Sequence, residues 1–169
     1  MNIFILSEDP IIAAQMQCNK HVVKMTLETA QMLCAPFENG KAPYRRAHYN
    51  HPCTIWARTS KENYEWLVMH GLALCNEYTL RYGKRHASQD VIIWCSNNMS
   101  RLGLPSNGLT EFAVAISGDQ ECRKLPNFDR LSVKQKYRAY YLCDKKRFAK
   151  WTNRDVPEWW ARWIRLGGV

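Results

Sequence analysis

The chain has 169 residues, 46% of them hydrophobic, which suits one domain with a real core and excludes a disordered chain. Lys and Arg number 24 against 15 Asp and Glu, a formal net charge of +9, so polyanions are the expected partners and nucleic acid the commonest of them; general basicity without a partner is the plain alternative. The apolar run 3–6 is too short for a signal or a membrane span, and seven cysteines is an odd number, so reduced thiols in a cytoplasmic protein with no membrane partner are expected.

Residues 2–6, NIFIL, read as a short strand or an extended lead-in. Residues 9–35 read as one long helix: Asp9 caps it, Pro10 takes the first position, and Pro36 follows its end. At the helical period Val22, Val23, Met25, Leu27, Ala30, Met32 and Leu33 cover most of its circumference. Gln17, His21, Lys24, Glu28 and Gln31, spaced by four, three, four and three, form one narrow polar stripe with Lys20 at its edge. Two readings of the stripe stand: a solvated face with Lys24 and Glu28 as an i,i+4 pair, or a seam of imidazole, ammonium and carboxylate lining a site. The second motivates His21, Lys24 and Glu28 as candidate catalytic groups.

Residues 36–52, rich in Pro, Gly and Asn, read as a loop that carries Tyr44, Arg45, Arg46, His48, Tyr49, Asn50 and His51. The stretch 53–58, which holds Trp56 and Arg58, leads into a second helix with a capping-box pattern at Thr59 and Glu62 and a stop at Gly83; Asn63, His70, Glu77 and Arg81 share one line along it. A basic turn with Lys84 follows, then a third helix over 88–100 opened by Ser88, a loop over 101–110, and a short ordered piece near 111–116. Residues 132–151 read as the last long helix, mixing Tyr137, Tyr140, Tyr141 and Phe148 with seven cations, and the tail PEWWARW as a short aromatic helix. Four main helices with little or no strand make a mainly α, single compact helical domain over 1–169.

Lys20, Arg45, Arg46, His48, Asn50, His51, Trp56, Arg58, Arg81 and Lys84 are the candidate contacts to nucleic acid or phosphate, since aromatic faces among cations suit bases and phosphates together. The spacing His48-x-x-His51-x-Cys53 with Cys18-x-x-His21 matches no strong zinc pattern, so no metal is expected. Cys18 and Cys34 read as small buried hydrophobes rather than nucleophiles. There is no Walker loop, dinucleotide-binding loop or serine-hydrolase elbow, and no cofactor is expected. What remains is an amine-and-carboxylate site: cleavage of a glycosidic bond needs a nucleophile or activated water at the anomeric carbon and a carboxylate against the developing positive charge.

The segments LSEDP, CNKHVVKM-x-LE-x-AQML, NHPCTIWAR, NYEWL and EYTLRYGK-x-H, together spanning about residues 1–86, resemble a family of small tailed-phage proteins labelled pyrimidine-dimer DNA glycosylase or endonuclease V-like; the later YRAYY segment is also similar. The resemblance implies a compact helical fold, a DNA or nucleotide ligand, a nucleophilic N-terminal α-amine on a Thr exposed by removal of Met1, and an essential Glu on the first helix. Here Asn2 follows Met1, and the first Glu of that helix beyond its cap is Glu28. The expected function is a phage-type enzyme acting on a nucleobase or its N-glycosidic bond. The alternatives are a module that sequesters a nucleotide or a host-defence factor, and a plain DNA-binding accessory protein.

Overall fold

The computed structural model describes residues 1–167. Seven α-helices occur among them, rather than four, and no strand: α1 (Pro10–Met16), α2 (Asn19–Cys34), α3 (Pro52–Ala57), α4 (Lys61–Tyr82), α5 (Gln89–Asn98), α6 (Val133–Tyr140) and α7 (Glu158–Arg165). One hydrophobic cluster runs from Ile3 through to Trp160, so the helices form a single domain around one core. Helix α4 is its spine: α1, α2 and α5 all pack on it. Gly71 permits the closest approach, since a Cβ there would lie 2.7 Å from Thr29 Cγ2 of α2 and 3.1 Å from Ile92 Cδ1 of α5.

The single long helix expected over 9–35 is two. Asp9 does cap the first, its carboxylate accepting from the N–H groups of Ile11 and Ile12. The chain then turns extended at Gln17 and Cys18, although neither Gly nor Pro marks the joint. The carbonyls freed there are taken up from far away in sequence. Arg81 donates to Gln17 O at 2.7 Å and Gln15 O at 3.0 Å, and Trp151 Nε1 donates to Met16 O at 3.0 Å. Those partners satisfy the end of α1 as a local cap would.

The spine begins one residue later than expected. Ser60, not Thr59, accepts from Asn63 N–H at 3.1 Å, while Glu62 turns outward to Ser106 and Gly108. Gly83 does end it, in the left-handed region at φ 65°. The last long helix is also shorter than expected. Ser132 and Gln135 form a capping box, but α6 stops at Tyr140 and widens into one π turn over Tyr141–Lys145. The turn draws the Tyr141 side chain fully into the core. Residues 111–116 are neither helix nor strand. Residues 2–6 are neither helix nor strand, and their Ile3, Phe4, Ile5 and Leu6 are all buried. No described helix is long and apolar enough to cross a membrane.

Candidate active site at the chain terminus

Asn2 explains how the terminus is fixed. Its Oδ1 accepts from the N–H groups of Ile3 at 2.8 Å and Phe4 at 3.1 Å, and its Nδ2 donates to Ala115 O at 2.7 Å. This tight turn puts Phe4 at φ 57°, a region bulky side chains rarely adopt and one that concentrates at functional sites. The turn aims the backbone at α2. Asn2 N–H donates to Glu28 Oε2 at 2.8 Å, and the Met1 α-amine lies 3.5 Å from the same oxygen. The Glu28 side chain is 9% exposed and the Met1 side chain 2%, whereas Met1 as a whole is half-buried, its exposure lying on the backbone end. Lys24 Nζ approaches the other carboxylate oxygen at 3.5 Å from solvent.

These groups floor a pocket of about 400 Å³ whose walls include Phe4, His21, Tyr140, Lys145 and Phe148. Phe4 stacks on His21 with centroids 4.1 Å apart, and the His21 ring meets the edge of Phe148 at 5.7 Å. Burial, aided by repulsion from Lys145 and Lys24, pushes His21 down to about 3, so it is neutral at neutral pH. Its Nδ1 is 2.5 Å from the Tyr141 hydroxyl, which also accepts from Cys18 N–H at 3.4 Å. A hydroxyl that donates to Nδ1 leaves the imidazole proton on Nε2, facing away from Tyr141. Lys20 lies over the Phe148 ring at 5.0 Å and Lys145 over the Tyr140 ring at 4.2 Å, giving the mouth cations backed by aromatic faces. A groove of about 450 Å³ between α1 and α4 is more apolar, and its charged pair, Glu77 and Arg154, is spent on each other.

The polar stripe of α2 therefore faces inward over most of its length. Gln17, His21 and Glu28 are buried, whereas Lys24 is exposed. Two apolar positions, Val23 and Leu27, face solvent instead. His21, Lys24, Glu28 and Lys20 meet in one pocket. Arg45, Arg46, His48 and Asn50 lie exposed on the loop, and the Arg46 and Arg58 guanidiniums both sit over the Tyr49 ring, at 4.7 and 3.9 Å. His51 caps α3 through Nδ1, which accepts from Cys53 N–H at 3.2 Å. Burial lowers its pKa first; the α-amine and His48 lower it further and Glu28 opposes them, so this loop is electrostatically within reach of the terminus. Among the described residues no three His, Cys, Asp or Glu side chains converge as metal ligands.

Three of the expected contacts sit elsewhere. Trp56 is buried against Trp66 and Phe112. Arg81 is sealed in the core, paired with Glu77 at 2.8 Å, and works as the clamp on the α1–α2 joint. Lys84 is exposed past the end of α4 and does not line the pocket. The wall that the sequence left unassigned comes from Met1, Asn2 and Phe4 on one side and Tyr140, Lys145 and Phe148 on the other. The mixture of Tyr and Lys in the late segment was its one visible signal.

A family model described as pyrimidine dimer DNA glycosylase matches residues 1–90, more than half of the chain. The chain belongs to that family. No curated protein and no solved structure matches. The stretch this pyrimidine dimer DNA glycosylase family member shares with the family model carries Met1, Asn2, Lys20, His21, Lys24 and Glu28, whereas Ala115, Ser117, Tyr140, Lys145 and Phe148 of the pocket lie beyond it.

Proposed function

We propose that the protein is a DNA glycosylase for pyrimidine dimers that attacks through its terminal α-amine, with Glu28 as the carboxylate partner. The observation that supports this most is the meeting of the α-amine and the Asn2 N–H on one buried Glu28 oxygen at the floor of a pocket. Asn2 in place of Thr does not remove the arrangement. If Met1 is retained, its amine is the nucleophile; if it is cleaved, the Asn2 nitrogen already lies 2.8 Å from the carboxylate.

An α-amine ordinarily titrates at about 7.7–8.0, against about 10.4 for a lysine, so α-amines as a class are far more often neutral and nucleophilic near pH 7. The neutral amine attacks C1′ of the deoxyribose while the C1′–N bond breaks and its electron pair leaves with the base. Glu28 opposes the positive charge growing on the sugar and takes the proton lost by the amine. Opening of the C1′–O4′ bond returns that proton to O4′ and leaves an iminium between protein and sugar. His21 Nε2–H can donate a hydrogen bond to the departing base. Lys20, Lys24 and Lys145 at the mouth face the flanking phosphates.

Borohydride converts such an iminium into a stable secondary amine. Incubating the protein with a duplex holding one cyclobutane pyrimidine dimer, adding borohydride and mapping the adduct by mass spectrometry tests the reading. The expected adduct is on residue 1 or 2. An adduct on Lys24, or no adduct with dimer recognition retained, refutes attack by the α-amine.

A further inference from the structure

Among the unpartnered surfaces, the outer strip of α2 pairs apolar side chains with a basic rim. Val23 and Leu27, one turn apart, are each 40% exposed. Lys24, whose side chain is 67% exposed, stands beside them. Across a groove of about 640 Å³ lined by Leu27, Gln31 and Tyr44 lie Arg45 and Arg46. Leu27 immediately precedes Glu28, so its side chain leaves the helix about 100° around and about 1.5 Å along from the carboxylate. The helix is rigid there: Val22, Met25, Thr26 and Ala30 are buried behind it, and the Val23 carbonyl accepts from His86 Nε2 at 3.1 Å. A second exposed apolar groove, with Ile11, Met69 and Leu80, has Arg154 as the single cation in its lining, against Arg45 and Arg46 in the groove beside Leu27.

We propose that Leu27, supported by Val23, is a wedge that enters a base step of duplex DNA beside the pocket while Lys24, Arg45 and Arg46 hold the phosphates on either side. The occupant is set by charge: cations flank the apolar strip on both sides, as duplex DNA requires and an apolar protein partner does not. Taking a nucleotide out of the stack into the pocket leaves a gap, and an apolar side chain that fills it offsets the lost stacking. The proposal rests on the glycosylase reading and adds to it the residue that opens the duplex.

The test uses a duplex with a tetrahydrofuran abasic analogue flanked by 2-aminopurine. The analogue has no glycosidic bond, so binding and unstacking are read without turnover. Anisotropy reports binding, and 2-aminopurine fluorescence reports unstacking. Wild-type protein is expected to raise the fluorescence at least about threefold. Leu27→Ala, a surface change whose fold is checked by its melting midpoint, is expected to lose more than half of that rise while its Kd shifts less than about fivefold, because phosphate contacts carry most of the affinity. Leu27→Met, apolar and long, is expected to restore the rise. An unchanged rise in the Val23→Ala Leu27→Ala double variant, or no rise with wild-type protein, overturns the wedge. Trapping on the dimer duplex, run with the same preparations, separates the two ideas. Trapping without Leu27-dependent unstacking overturns the wedge alone, and Leu27-dependent unstacking without trapping overturns the imine chemistry alone.

Discussion

Replacing Glu28 by Gln keeps the shape of the side chain and removes its charge. The amide oxygen can still accept from Asn2 N–H, now at 2.8 Å, so that hydrogen bond survives in neutral form. A hydrogen bond to a charged group contributes about 1.5–3 kcal/mol and a neutral one about 0.5–1.5, a loss of about 1 kcal/mol. The Lys24 pair adds at most about 0.2–0.5 kcal/mol, because Lys24 is solvated and the pair is screened. The expected destabilisation is therefore about 1–2 kcal/mol, and at about 2–4 °C per kcal/mol for a chain of this size the melting midpoint falls by only a few degrees. The chemical step loses both a proton acceptor and the charge facing the sugar cation, effects that ordinarily contribute about 10²–10⁴ in rate. Single-turnover cleavage of a dimer-containing duplex, run beside thermal melting, measures both quantities on one preparation. Cleavage within about threefold of wild type would remove Glu28 from the chemistry. A melting midpoint lowered by more than about 10 °C would instead make it a structural residue.

His21 and His70, pushed down to about 3 and about 4 mainly by burial, are neutral when folded but bind protons below about 6.5 once unfolded. The unfolded state thus takes up more protons as pH falls. The stability these groups contribute is present above about 6.5 and is lost on acidification by about 1.4 kcal/mol per pH unit per histidine, so urea titrations at pH 6.5 and 5 should show a clear fall and a flat profile would contradict the assignment. Arg45→Ala should lower the slope of log K against log salt for duplex DNA by about 0.9, whereas Arg81→Met should leave the slope unchanged and cost about 2–5 kcal/mol of folding stability, because Glu77 keeps Arg154 but the Gln15 and Gln17 carbonyls lose their donor, both seen in salt-dependent binding and urea curves. Gly71→Ala forces a Cβ to within 2.7 Å of Thr29 Cγ2, so overpacking of about 1–3 kcal/mol should outweigh about 1 kcal/mol of helix propensity. Calorimetry of the Gly71→Ala and Thr29→Ser single and double variants should show the two changes partly compensating.

The sequence made α2 legible because its polar stripe keeps the helical period, and it marked the start of α1 and the end of α4 because Asp9, Pro10 and Gly83 are local signals. The joint at Gln17 and Cys18 was hidden for the opposite reason. Its caps come from Arg81 and Trp151, and nothing near the joint in sequence discourages a helix. The early end of α6 is likewise tertiary, set by the Tyr141 hydroxyl reaching His21 and Cys18. Arg81 and Trp56 were expected as contacts to nucleic acid or phosphate because a charge or a ring in a basic protein suggests one, and their burial is decided by neighbours that periodicity on α3 and α4 does not reveal. The meeting of the terminus with Glu28 joins an aperiodic segment to a helix 26 residues on, through the Asn2 N–H and the Met1 amine, in a turn that the Asn2 side chain closes.

The pocket is assembled from two stretches, and the family model matches the first of them. The Met1 amine and Glu28, the proposed nucleophile and its carboxylate, lie within the first 90 residues, the part that the family model matches, while Tyr140, Lys145 and Phe148 lie outside it. On the proposed chemistry, a change of lesion therefore asks for new side chains only on the late wall, and the bond-breaking apparatus can stay as it is. Directed evolution aimed at another damaged base has a natural library in residues 113–148, with residues 1–34 held fixed as the chassis.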